Sequence, residues 1–169
     1  MHDGQNLFNV PSSSATARGG VFVQEQINAG AASTSSTTVD YGVGHGIDVV
    51  SIEWMKSELE SATVDWPGKF CSADERADAD NPPVHTRYYA GRYAGKEAVA
   101  KALGTGFADE ITWRGIEILR KEGGAPYVRL SGKVKEYADS LGITDWAISL
   151  SYCGGIAMAS AIASGNRPE

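Results

Sequence analysis

From Gly44 onward, apolar runs alternate with turn residues in a pattern that resolves into discrete elements. GIDVVSI is short, apolar and β-branched and sits between glycines, which predicts a buried strand. WMKSELESA continues it as a helix. Residues 66–81 then read as an acidic, turn-rich segment closed by Asn81-Pro82-Pro83. Residues 86–103 form the strongest helical stretch. Its Ala90, Ala94, Ala98 and Ala102 recur every four residues, a small-residue ridge that allows close packing on another element. Gly104 is placed to cap its C-terminus. Two strands, 116–119 and 127–130, follow around the turn KEGGAP. Ser131 is a candidate cap for a helix through VKEYADSLG, which Gly142 ends. Residues 146–151 and 156–163 predict two closing strands joined at Tyr152-Cys153-Gly154-Gly155. The order β-α-α-β-β-α-β-β predicts an α+β domain, a small antiparallel sheet packed on a long helix.

Residues 1–40 differ. They are rich in Ser, Thr, Ala, Gly and Asn, and only VFVQEQI (residues 21–27) is suited to a short element. Such a stretch buries too little apolar surface to offset its ordering entropy. We expect a tail or linker over 1–40 and one domain over 41–165, in keeping with a chain of 169 residues. Fifteen basic against twenty-one acidic side chains give a net charge of -6, which argues against non-specific nucleic-acid binding. No apolar run approaches the ~18–20 residues of a membrane span. The start MHDGQNLFNV lacks the basic-then-apolar form of a secretory signal. Cys71 and Cys153 are too few for a disulfide framework and lack metal-site spacing. A soluble, cytoplasmic protein is expected.

Candidate chemistry concentrates on the long helix and the first strand. Tyr89, Tyr93, Glu97 and Lys101 lie four apart and share a helical face. They suit either a surface Glu–Lys pair with two tyrosines at a core edge, or a functional face. Gly104-Thr105-Gly106 is either a helix stop or a turn whose amides approach an anion. Asp48 stands in an apolar strand, where a carboxylate must be paired or bound to a metal. Its alternatives are a salt bridge to Lys or Arg, or a Mg²⁺ site shared with Glu97. Magnesium takes one or two carboxylates and fills its shell with water and substrate phosphate.

Gly44-His45-Gly46-Ile47-Asp48-Val49-Val50 and the stretch AGRYAGKEAVAKALGTG over residues 90–106 resemble the two signatures of 4′-phosphopantetheinyl transferases. The chain is most similar to the short holo-acyl-carrier-protein synthase type, which also occurs as the transferase domain of fungal-type fatty acid synthases. The resemblance continues through Ile116-Glu117-Ile118-Leu119, Gly124-Ala125-Pro126 and Ile148-Ser149-Leu150-Ser151. It implies a single holo-acyl-carrier-protein-synthase-like domain that moves the phosphopantetheine arm of coenzyme A to a serine of an acyl or peptidyl carrier protein. Adenosine 3′,5′-bisphosphate would be released. Asp48 and Glu97 would hold Mg²⁺ on the coenzyme A diphosphate, and Lys101 would sit on a phosphate. Arg92, Gly104, Thr105 and Gly106 would be secondary phosphate contacts, with Pro126, Ser151 and Tyr152 completing the coenzyme A site. Glu97, or a water held by the metal, would accept the serine proton. A cytoplasmic homotrimer with its site at subunit boundaries is implied, serving fatty acid or polyketide biosynthesis.

Three positions depart from the family. Tyr152 stands where His is usual, and a phenol carries no positive charge. The stretch after Asp48, usually basic for docking acidic carriers, holds eight acids and three bases from Glu53 to Asp80. Val50 occupies a position that is acidic in the larger transferases. Two readings follow: an active transferase whose carrier docks through apolar contacts or is tethered, or a coenzyme A-binding or assembly subunit that has lost carrier modification.

Overall fold

The helix carrying the alanine ridge organises the domain. The computed structural model describes residues 41–61, 65–79, 85–107 and 111–166, so the expected tail and its VFVQEQI element lie outside the described residues. Helix α4 (His85–Ala102) lies across a three-stranded antiparallel sheet of β1 (Tyr41–Ser51), β5 (Ile156–Asn166) and β4 (Ile143–Cys153), in the order β1-β5-β4. The inward face of β5 offers Ala157, Ala159, Ala161 and Ala163, none more than 1% exposed, to the fully buried Ala90, Ala94 and Ala98 of α4. Small side chains on both surfaces let helix and sheet approach closely. On β1, two glycines extend that approach. A Cβ on Gly46 would lie 2.0 Å from the Ala98 carbonyl oxygen, and one on Gly44 would lie 2.1 Å from that of Ala102. Backbone atoms cannot yield to a methyl group, so these glycines set how near α4 comes to Asp48.

The remaining elements flank this layer. After β1 comes α1 (Ile52–Leu59), then α2 (Trp66–Phe70) and α3 (Ala73–Ala77), inside the segment expected to be turns. Their caps explain them. Asp65 Oδ1 accepts from the Gly68 amide, and Ser72 with Glu75 forms a reciprocal capping box. Strands β2 (Ile116–Arg120) and β3 (Pro126–Leu130) form a separate hairpin after a 3-10 turn at Trp113–Gly115, so the expected single sheet is two. Helix α5 (Gly132–Ser140) follows. Ser131 precedes it but makes no side-chain cap; its amide instead donates to the Gly115 carbonyl, tying the helix start to the 3-10 turn before β2. Gly142 ends the helix as expected, at φ 73°. Strands β1, β4 and β5 each run to eleven residues, longer than the sequence pattern indicates.

Two interior features lock the helices to the hairpin. Glu75 and Lys96, both fully buried, form an ion pair at 2.7 Å. Lys96 Nζ also donates to the carbonyls of Trp113 and Ile116, while Glu75 accepts from the amides of Ile118 and Ser72. Burial pushes the Lys96 ammonium below its usual pKa, against the pull of Glu75. Beside this network, Trp54, Trp66, Phe70, Tyr93 and Trp113 meet edge-on or tilted, with centroids 4.7–6.4 Å apart. The outward face of the sheet is different: Ile47, Val49, Met158 and Ile162 are 42–55% exposed there. Among the described residues no helix is long and apolar enough to cross a membrane.

Candidate active site

Asp48 alternates with Gly46 and Val50 onto the inward side of β1, under the last turns of α4. Because α4 sits so close, Lys101 reaches back across the gap. Its Nζ lies 2.7 Å from Asp48 Oδ1 and 3.1 Å from the Ile47 carbonyl oxygen. Asp48 is therefore salt-bridged to Lys101 through one carboxylate oxygen. The Asp48 side chain is only 11% exposed, and burial lifts its carboxyl above the ordinary range, against the bond and charge of Lys101 and the Val49 amide. Glu97 stands one helical turn before Lys101 on the same face of α4, half-buried. Tyr89 is buried and Tyr93 half-buried among the aromatic rings, the plain alternative for those two positions. Among the described residues no group of three or more His, Cys, Asp or Glu side chains gathers as a metal site. Burial pushes the Cys71 thiol up to about 12, which removes it as a nucleophile.

The turn after α4 behaves chiefly as a helix stop. The amides of Gly104 and Gly106 donate to the carbonyls of Lys101 and Ala100, and Gly104 takes φ 79°. Thr105 Oγ1 donates to the Gly106 carbonyl. Two of the three amides expected to face phosphate thus close the helix.

A second centre lies further back along α4. A cavity of about 310 Å³ is lined by Arg92, Arg120, Gly124, Pro126, Leu150 and Tyr152, among others. Arg92 is 1% exposed, and its Nε and Nη2 are buried without a hydrogen-bond partner among the described residues. Its guanidinium stacks 4.1 Å from the Tyr88 ring centroid, with Arg120 5.1 Å from the same ring. Unsatisfied N–H donors on a buried cation are costly, and Arg92 is one of the residues lining the cavity, so an anion bound there would meet a cation in need of partners. Arg92 and Lys101 are nine residues apart, so the two centres lie about 13.5 Å apart along the helix axis.

The structure thus sorts the residues singled out from sequence. Asp48 and Lys101 meet near the end of α4, with Glu97 one helical turn before Lys101, while Arg92, Pro126 and Tyr152 share the cavity. Ser151 alternates with Tyr152 onto the exposed outward face of the sheet and is not among the residues lining the cavity. Arg120 went unnoticed in the sequence. Its signal is positional, since it pairs with Pro126 across the β2–β3 hairpin.

The family described as the 4′-phosphopantetheinyl transferase superfamily matches residues 44–151, a span holding both centres except Tyr152. The chain belongs to that superfamily. It is accordingly a 4′-phosphopantetheinyl transferase, of the type expected from its motifs. The transferase is 38% identical over 120 residues to the holo-[acyl-carrier-protein] synthase of Ruminiclostridium cellulolyticum, covering 70% of this chain and 90% of that protein. Solved relatives include the holo-[acyl-carrier-protein] synthase of Neisseria meningitidis, with TM-score 0.66 and 26% identity over 71% of this chain and 96% of that one. The Helicobacter pylori enzyme, solved in complex with coenzyme A, gives TM-score 0.63 and 29% identity over 70% and 98%. The α+β fold of the transferase is the fold of these proteins.

Proposed function

We propose that this transferase moves the 4′-phosphopantetheine arm of coenzyme A to a serine hydroxyl of an acyl carrier protein, with Mg²⁺, releasing adenosine 3′,5′-bisphosphate. The observation that carries this reading is the pairing of two centres on one helix. A desolvated carboxylate–ammonium pair lies at its C-terminal end, and a buried guanidinium with unsatisfied donors lines a cavity midway along it. Coenzyme A has matching parts, a diphosphate and a separate terminal phosphate. The names of the relatives, and the coenzyme A bound to one of them, favour the same substrate.

The chain's own residues supply most of the chemistry. The serine oxygen attacks the β-phosphorus, the bond from that phosphorus to the bridging oxygen breaks, and the serine proton passes to Glu97. Lys101, fixed by Asp48 and the Ile47 carbonyl, balances charge on the leaving bisphosphate. Arg92 holds the far end of coenzyme A, so the diphosphate is presented in one register. Asp48 and Glu97 would hold magnesium; two carboxylates suit that ion when substrate phosphate and water complete its shell. When bound, it neutralises the diphosphate. Chelation with EDTA is expected to stop labelling of a carrier by fluorescent coenzyme A, and added Mg²⁺ to restore it. Labelling that is indifferent to EDTA contradicts the metal assignment.

We read the outward sheet face as the seam of a homotrimer. Ile47, Val49, Met158 and Ile162 lie exposed on it, and such a patch favours burial against another copy. Ser151 opens onto the same face, which suits a coenzyme A site completed at the boundary between copies. Sedimentation is expected to give three chains per particle, and Val49→Lys to give single chains. A wild-type monomer at micromolar concentration contradicts this.

The acidic docking stretch is less acidic than its composition. Glu75 is buried on Lys96, Asp65 caps α2 and Asp74 pairs with Arg129. A carrier docking there meets a weaker repulsive field than eight acids imply. A cytoplasmic setting in fatty acid or polyketide biosynthesis suits the activity and the two free thiols, Cys71 and Cys153.

A further inference from the structure

Positive charge is concentrated in this chain despite its net charge of -6. Arg92 and Arg120 line the 310 Å³ cavity, and Arg87 stands against its wall, its guanidinium 4.4 Å from the ring centroid of Tyr152. The ring is held in place. A Cβ on Gly91 would lie 2.0 Å from Tyr152 Oη, so the phenol fills a notch that glycine leaves in α4. Arg87 is exposed and rests on this fixed ring, with no carboxylate partner among the described residues. A guanidinium stacked on an aromatic face keeps its full charge and leaves its edge N–H groups open to a ligand.

We propose that Arg87, positioned by Tyr152, is a specificity residue for the phosphate monoester at the nucleoside end of coenzyme A. It would make the transferase favour coenzyme A over its 3′-dephospho form. The proposal rests on the coenzyme A reading above. A phosphate monoester carries close to two charges and three acceptor oxygens, where the dephospho form offers one hydroxyl. Arg92 and Arg120 line the cavity, and Arg87, stacked on Tyr152 of its wall, adds a third cation beside them. Tyr152 has no charge to contribute, so its part is to hold Arg87 over the cavity. Arg87 lies fourteen residues before Lys101, about 21 Å along the helix. At that distance it binds ground state and transition state alike, so its loss raises KM and leaves kcat unchanged.

The test measures KM and kcat with coenzyme A and with 3′-dephospho-coenzyme A. It compares the wild type with Arg87→Ala, Arg87→Lys, Tyr152→Ala and Tyr152→Phe. Arg87→Ala is expected to raise KM for coenzyme A about tenfold, the size of one charge-assisted contact, and to leave KM for the dephospho form unchanged. Tyr152→Ala should behave like Arg87→Ala, while Tyr152→Phe and Arg87→Lys stay closer to wild type. Equal KM changes for both substrates in Arg87→Ala, or no change in either, overturn the proposal. Calorimetry with adenosine 3′,5′-bisphosphate and adenosine 5′-phosphate reads the same preference without any transfer. If no carrier is modified yet Arg87→Ala selectively weakens the bisphosphate, the transfer reading fails and the Arg87 proposal stands. If the wild type binds both nucleotides equally, the Arg87 proposal fails whatever the carrier assay gives.

Discussion

Glu97→Ala is expected to lower labelling of a cognate carrier by about 10²–10⁴-fold, the usual loss when a positioned proton acceptor is removed. Asp48→Ala should fall at least as far, for two reasons. It deletes a proposed metal carboxylate, and it frees Lys101, whose ammonium is otherwise fixed 2.7 Å from Asp48 Oδ1. Asp48→Asn separates the two. The amide oxygen can still accept from Lys101, but it has no charge for a cation. Activity lost in both the Ala and Asn variants points to the charge; activity kept by Asn alone makes Asp48 an anchor for Lys101. Labelling with fluorescent coenzyme A under saturating Mg²⁺ reads all three. Full activity in Glu97→Ala and Asp48→Ala together contradicts the assigned site.

Lys96→Met is expected to produce the largest loss of stability, about 3–5 kcal/mol, because it leaves the Glu75 carboxylate buried without its cation. Against a total of roughly 5–15 kcal/mol for a domain, that removes much of the margin. It also orphans the Trp113 and Ile116 carbonyls that Lys96 serves. Changing both partners, Glu75→Leu with Lys96→Met, should recover only part of the loss, since the Ile118 and Ser72 amides then lose their acceptor. Urea midpoints measure the difference. A loss below about 1 kcal/mol in Lys96→Met means that the pair is solvated in solution and does not lock α3 to β2.

Repetition within single elements made much of this molecule legible in its sequence. The alanine ridge of α4 is local, and it fixed both the helix and its close packing before any partner was known. The partner proved to be an alanine ridge on β5, more than fifty residues away. Helices α2 and α3 escaped because five residues complete barely more than a turn, so no apolar period can show. Only their caps, Asp65 and the Ser72–Glu75 box, mark them, and in an acidic stretch those residues read as surface. Glu75 counted only as one of the eight acids of the docking stretch, and Lys96 stood unremarked within the long helix. Their burial depends on a contact across twenty-one residues that composition does not encode. At the site, Asp48 was legible as a carboxylate out of place in an apolar strand, but its choice of Lys101 over other cations depends on Gly46 drawing α4 close. The role of Gly104-Thr105-Gly106 split because a helix stop and an anion turn share one composition. Only the hydrogen bonds of Gly104 and Gly106 distinguish them.

Covalent transfer is the claim on which the rest depends, and intact-mass spectrometry reads it directly. Purified apo carrier proteins, incubated with the transferase, coenzyme A and Mg²⁺, are predicted to gain the mass of one phosphopantetheine arm on a single serine. Coenzyme A binding with no mass gain on any carrier would contradict the account and leave a protein that holds the nucleotide without passing on its arm.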